Sequence, residues 1–293
     1  MSGNERLEQL LERIATALER IATALERDRP SQSFVRQKTE ENHEQPTQPE
    51  SCPRDIEEFL NSRGIKIKTL KAEDSADDVL DSISLFMGNR FSHIKGLLQE
   101  IKRTLNTGYS FRMDLRDKKP EEITSITQLC TRLHEIAFLE EYRYNRSPRY
   151  TLFGRVNRIP EAINFFTGGW LERYVKSAVI DIVKSLYEED ADFSYVKNPQ
   201  IVLPDGKDFE LDVLFRIKGD IFWFEAKTGD YQRYVSKYSK VAEVMGLDHD
   251  HAYMILTDIT ESGAQALESI FHMKVVRIDD FYESFWDTLK NIG

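Results

Sequence analysis

Asp212, Glu225 and Lys227 are the residues of this chain best placed to do chemistry together. They fall in the stretch 208–229, DFELDVLFRIKGDIFWFEAKTG. It reads as two adjacent strands joined by a tight Lys218-Gly219-Asp220 turn, because apolar residues recur at every second position on both sides of a Gly-Asp turn signal. Residues two apart on a strand share a face. Leu211, Val213 and Phe215 therefore point one way, and Glu210, Asp212 and Leu214 the other. On the second strand Phe222, Phe224 and Ala226 oppose Trp223, Glu225 and Lys227. Two carboxylates and an ammonium converge on one face of a hairpin whose other face is apolar enough to be buried. Such charges are costly without a cation, a partner or water beside them. Hard divalent cations take oxygen ligands and keep several waters, so two or three carboxylates suffice. A neighbouring Lys can orient a metal-bound water or stabilise charge that develops on a phosphate. The chemistry expected is metal-assisted phosphodiester hydrolysis. The same alternation also fits a structural ion-pair cluster on a surface-facing hairpin edge.

Glu210-Leu211-Asp212 followed by Phe224-Glu225-Ala226-Lys227-Thr228-Gly229 resembles the active-site hairpin of the PD-(D/E)XK nuclease superfamily. Within it the sequence is most similar to the nuclease domains of CRISPR-associated, cyclic-oligoadenylate-activated effectors and to Holliday-junction-resolvase-like enzymes. The resemblance covers roughly residues 165–290. It implies a restriction-endonuclease-like α/β core of αβββαβ order, with a central mixed sheet flanked by helices, and Mg²⁺ or Mn²⁺ as cofactor. Glu172, at the start of an apparent helix, resembles the first-helix acid that completes the metal site of this superfamily. Asp212 and Glu225 are then the implied metal ligands, supported by Glu172 and the backbone carbonyl of Ala226, and Lys227 the residue that positions the attacking water. Gln232 and Lys237, on the helix expected after the hairpin, are further candidates for contact with substrate phosphates. The chain departs from the family pattern at one point. Its literal Pro204-Asp205 lies in Leu203-Pro204-Asp205-Gly206, which reads as a turn, so Asp212 is taken as the active acid.

The elements that must position these residues follow from periodicity. A helix is expected over 169–188, with Leu171, Val175, Val179, Ile182, Val183 and Leu186 as its apolar face, and a strand over 193–196. Beyond the hairpin come a helix over 231–245 ending at Gly246, a strand over 252–256, a helix over 261–271, a strand over 275–278 and a closing helix over 281–289. Strands alternating with helices after a hairpin indicate an α/β domain over 167–293, which the resemblance implies is nuclease-like.

Residues 54–166 read as a mainly helical region. A capping-box-like start at Asp55 and Glu58 leads a short helix that Gly64 ends, a strand-like IKIKTL follows, and Pro120 with Glu121 and Glu122 opens a later helix. Its end, YRYNRSPRYTLFGRVNR at 142–158, carries Arg143, Arg146, Arg149, Arg155 and Arg158 among tyrosines without a single acid. An Asn-Arg-Ser-Pro turn between two Tyr/Arg-rich runs suggests the wing of a winged-helix fold, with Arg on phosphates and Tyr stacked on bases. The opposing reading pairs these arginines with the acids in which the protein abounds.

Residues 1–27 contain a tandem heptad, RIATALE at 13–19 and again at 20–26. Leu11, Leu18 and Leu25 take the a position and Leu7, Ile14 and Ile21 the d position, a choice that favours more than two helices. A homo-oligomer through residues 5–27, a tetramer above all, is expected. The alternative is an amphipathic helix docked on its own chain. Residues 28–53, rich in Ser, Gln, Glu, Pro and Asn, read as a flexible linker.

The 293 residues suffice for one large domain or two modest ones. The 40 basic and 50 acidic residues leave a net charge of -10, which argues against broad, nonspecific phosphate binding but not against a local site. No apolar run is long enough for a bilayer, no signal peptide opens the chain, and Cys52 and Cys130 form neither a metal motif nor a disulfide framework, so no membrane partner and a cytoplasmic location are expected. Residues 54–166 are too short and too helical for the nucleotide-sensing module that precedes the nuclease in the resembled effectors. The resulting expectation is a metal-dependent nuclease in defence, restriction or repair, acting on DNA ahead of RNA. The alternative is a non-catalytic, oligomeric nucleic-acid-binding or scaffold protein with a degenerate nuclease fold.

Overall fold

In the computed structural model of the chain, residues 52–71 and 76–292 are described. The expected coil at 1–27 and the linker, apart from its last two residues, lie outside them. Chain order begins with α1 (Arg54–Ser62), which buries Ile56 and Leu60 four positions apart, and β1 (Lys66–Thr69). Next come α2 (Asp77–Asn89), α3 (Phe91–Leu105), β2 (Phe111–Asp114) and α4 (Pro120–Glu135). Pro120 opens α4, and the Glu122 carboxylate accepts the Lys119 backbone N–H at 3.1 Å, as a first turn requires. The hairpin β3 (Leu139–Asn145) and β4 (Thr151–Val156) follows, and then α5 (Pro160–Asn164). A π turn over Phe165–Gly169 leads into α6 (Trp170–Tyr187).

The C-terminal half continues with β5 (Phe193–Lys197), β6 (Gln200–Val202), β7 (Asp208–Glu210), β8 (Val213–Ile217) and β9 (Asp220–Lys227). It closes with α7 (Val235–Met245), β10 (Ala252–Leu256), α8 (Glu261–Ile270), β11 (Lys274–Arg277) and α9 (Ile278–Ile292). The central sheet runs β11-β10-β9-β8-β5; β10 is parallel to β9 and β11, while β8 is antiparallel to β9 and β5. Two smaller antiparallel sheets, β1-β6-β7 and β2-β4-β3, accompany it. The chain is therefore an α/β protein with a mixed sheet flanked by helices.

The β8–β9 turn has positive φ at both central residues, 49° at Lys218 and 101° at Gly219, the two-residue geometry whose twist suits a hairpin. Val213, Phe215, Phe222 and Phe224 enter one core with α6 and α9; Leu214, Ile221 and Trp223 enter a second core with α1 and α7. The central sheet thus has a buried layer on each face, which is why β10, AYMIL, is apolar throughout.

The structure corrects three expectations. The strand read through 208–217 is two strands in two sheets, with Leu211 and Asp212 forming the corner between them. There the Leu211 N–H donates to the Pro199 carbonyl at 3.2 Å and the Asp212 carbonyl accepts the Asn198 N–H at 2.9 Å. Alternation does not carry across a corner, so Leu211 lies in the opposite core from Val213 and Phe215. The region 54–166 contains a three-stranded sheet, and its first segment belongs elsewhere: β1 pairs with β6, and Ile56, Leu60 and Ile65 share the core of Trp223. The helix expected from 231 starts at Val235, after a turn closed by the Tyr234 N–H on the Tyr231 carbonyl, so Gln232 precedes the helix. Among the described residues, no helix is long and apolar enough to cross a membrane.

Candidate active site

β8 and β9 bring Asp212, Glu225 and Lys227 into direct contact. The Lys227 ammonium lies 3.1 Å from Asp212 Oδ2 and 2.7 Å from Glu225 Oε1, and Asp212 Oδ2 also accepts the Ala226 backbone N–H at 2.8 Å. Local reasons account for this. Pairing of Val213 with Phe224 sets the corner residue Asp212 beside the end of β9, and the alternation of β9 sends Glu225 and Lys227 to the face of Trp223. The acids are withdrawn from water, with Asp212 5% and Glu225 1% exposed, whereas Lys227 keeps 24% of its side chain open.

That burial controls the electrostatics. Desolvation, reinforced by the charges of Glu225 and Glu172, raises the Asp212 pKa well above the ordinary carboxylate value. Desolvation raises Glu225 as well, against the pull of Lys227. Burial works against the Lys227 charge, yet Glu225 and Asp212 outweigh it and hold the ammonium above its usual value. One ammonium serves two buried carboxylates; Glu225 Oε2 makes no close hydrogen bond, and the Tyr238 hydroxyl interacts with that carboxylate.

Glu172 rides in the first turn of α6, half-buried, where its carboxylate accepts from the Asn198 amide at 2.9 Å. The same amide lies 3.4 Å from Glu210 Oε1, and Glu210 also receives Gln200. Asn198 ties the acid of α6 to the Asp212 corner, using its side chain for one and its backbone N–H for the other. Sequence reasoning passed over it, although Asn-Pro at 198–199 is a turn signal and the positive φ of 51° is one that Asn tolerates. Also passed over was Tyr238 of α7, whose hydroxyl interacts with Glu225 and whose ring lies 5.4 Å from the Lys227 ammonium. Lys102 of α3 was a third omission; it donates to the Thr228 carbonyl at 2.7 Å, just past Lys227.

The remaining candidates separate. Lys237 is exposed on α7 with its ammonium over the Phe209 ring, and Gln232 is exposed in the preceding turn; neither is in contact with the acids. The arginines lie on the β2-β4-β3 sheet and its turn. Arg155 is paired with Glu140 and Glu141. Arg143 instead lies 5.0 Å over Phe153, which Arg112 approaches from the other neighbouring strand at 5.5 Å, a cross-strand Arg-Phe-Arg row. Arg146 and Arg149 are exposed in the turn.

The donor set fits a hard divalent cation. Among the described residues no group of three His, Cys, Asp or Glu stands ready to hold a metal alone. Two buried carboxylates, one with an unmatched oxygen, are nevertheless hard oxygen donors of the kind that an ion which keeps its waters would take.

No protein-family model matches this sequence, and comparison with the curated proteins finds no match. Solved structures share its fold, among them the following two. Protein VC1899 from Vibrio cholerae aligns with a TM-score of 0.53 and 16% identity, covering 80% of this chain and 60% of that one. Can2 from Sulfobacillus thermosulfidooxidans, solved in complex with cyclic tetra-adenylate, aligns with a TM-score of 0.53 and 14% identity, covering 80% of this chain and 58% of that one. The alignments thus span about three fifths of either neighbour.

Proposed function

We propose that the chain is a metal-dependent nuclease of PD-(D/E)XK type that hydrolyses phosphodiester bonds, with DNA ahead of RNA as substrate. The observation that carries this reading is the cation deficit of the Asp212–Glu225–Lys227 group, two buried acids sharing one ammonium beside an unmatched carboxylate oxygen. The fold likeness to Can2, a protein that binds a cyclic oligoadenylate, supports it. Asp212, Glu225 and the Ala226 carbonyl would hold one or two Mg²⁺ or Mn²⁺ ions, with Glu172 in support. Such an ion supplies an activated water and neutralises charge on the scissile phosphate. Lys227, anchored between the acids, would position an attacking water and carry part of the phosphate charge. Asn198 keeps Glu172 directed at the site. The Arg112–Phe153–Arg143 row, with Arg146 and Arg149, binds the strand as a wing. Residues 5–27 assemble the chain into a tetramer in the cytoplasm, so that several sites act together in defence, restriction or repair.

One observation favours a second reading. Lys227 touches both acids, and a satisfied ion triad in a non-catalytic binding or scaffold protein would do the same. Cleavage of supercoiled plasmid, linear duplex, single-stranded DNA and RNA, with Mg²⁺, Mn²⁺ or EDTA and with or without cyclic tetra-adenylate, separates the two. Metal-dependent cutting that disappears in Asp212→Asn and Lys227→Ala supports the nuclease. A folded wild type that cuts nothing, and binds nucleic acid as both variants do, supports the scaffold.

A further inference from the structure

Immediately beyond Lys227 the chain enters a second pocket, built where α3 crosses the ends of β9 and β10. It is a half-open cavity of about 40 Å³, and its chemistry is carried by Lys95, Lys102, Trp170, Thr257 and Asp258. The carboxyl ends of parallel strands are where open α/β sheets place their ligands. Here the Thr257 N–H donates to the Lys227 carbonyl at 3.3 Å, so the pocket and the acid group share one strand end.

Its wall has more donors than acceptors. Lys102 gives one of its three N–H groups to the Thr228 carbonyl. Lys95 pairs with Asp258 at 3.0 Å, and Asp258 also receives the Thr257 hydroxyl at 3.3 Å. Two ammonium groups thus face one carboxylate that is already engaged. Trp170 is 1% exposed with its ring stacked on Phe91, yet its indole N–H has no hydrogen-bond partner. Burial lowers the Lys102 pKa, with Asp258 opposing, so this ammonium too lacks full compensation.

We propose that this pocket is an anion subsite that takes a phosphate of the nucleic-acid strand flanking the scissile bond, with Lys95 and Lys102 as donors and Trp170 as part of its wall. The identity of the strand rests on the nuclease reading; the affinity for phosphate does not. Thr228, which lines the pocket, follows Lys227 at the end of β9, and a strand bound at Lys227 would place its neighbouring phosphate here.

The test is a titration of the full chain, ¹⁵N-labelled at tryptophan and kept in EDTA so that nothing is cut. Its three indole resonances are assigned by single Trp→Phe variants. Inorganic phosphate and a short single-stranded oligonucleotide are each expected to move the Trp170 resonance and to leave Trp223 in place. Lys95→Glu and Lys95→Gln alter a side chain that is 43% exposed, so both variants should fold. Each should weaken both ligands by about tenfold, the weight of one charge-assisted hydrogen bond. In cleavage assays the loss should fall on KM rather than kcat. Normal cutting with a Trp170 resonance that phosphate does not move overturns the subsite and leaves the nuclease standing. Lys95-dependent binding of both ligands by a protein that never cuts upholds the subsite while the nuclease reading fails. A Lys95-dependent response to inorganic phosphate alone assigns the pocket to a free anion and overturns the strand phosphate.

Discussion

Two buried charge clusters flank α6, and they are built to opposite rules. Where α6 meets α2, Asp77 accepts from Arg173 and Lys197, and Asp81 accepts from Arg173 and Lys176, so every carboxylate has two cationic partners. At the end of β9, Asp212 and Glu225 share a single ammonium, and one carboxylate oxygen has no partner. The first cluster is saturated and holds α6, with Glu172 on it, against its neighbours. The second is short of positive charge and leaves room for more. Buried charge in itself therefore says little about function, and the ratio of cations to carboxylates says much.

The largest effect should come from the deficient cluster. Asp212→Asn or Lys227→Ala is expected to lower metal-dependent cleavage by at least about a hundredfold, as loss of one electrostatic element of a reacting site does; retention of activity in either variant would erase the distinction between the clusters. The saturated cluster should respond in stability instead. Asp81→Ala takes from Arg173 one of its two carboxylates and from Lys176 the carboxylate it pairs with and should cost about 3 kcal/mol in urea unfolding, with any loss of cleavage following the loss of fold.

A smaller effect sharpens the contrast, because it has the opposite sign. In EDTA, Asp212→Asn should raise stability by about 1 kcal/mol at neutral pH. The native pKa of Asp212 lies above its unfolded value. In acid below the ordinary carboxylate range the residue is protonated in both states and exerts no penalty. As pH rises through that range the unfolded chain ionises first, and native stability falls until the raised native value is passed. The gain from Asn should thus be absent in acid and grow with pH; a constant gain would show that charge is not its cause. The smallest effect concerns the wing. Arg143, stacked on Phe153, should lower the slope of log affinity against log salt by about one when changed to Ala, whereas Arg155, already paired with Glu140 and Glu141, should leave it unchanged.

Much of this fold is written locally. The Lys218-Gly219 turn, the strand at 252–256 and the apolar face of α6 follow from φ preference and from periods of two and 3.6. The same period of two sets Glu225 and Lys227 on one face of β9. It misled at Leu211, since a chain that changes sheets turns its corner at a position no alternation marks. It also passed over β6, whose three residues are too few for a period.

What the sequence by itself determined is therefore the hairpin, the order of strands and helices, and the set of residue types that reach one face of β9. The tertiary structure alone decided how many cations each acid would meet, which loop would brace the site, and where a second pocket would open. Those outcomes depend on partners far apart in the chain: Asn198 reaches Glu172 across 26 positions, Lys176 reaches Asp81 across 95, and Lys102 reaches Thr228 across 126. Backbone preference acts between near neighbours, whereas desolvation and charge compensation are properties of whatever packing brings together.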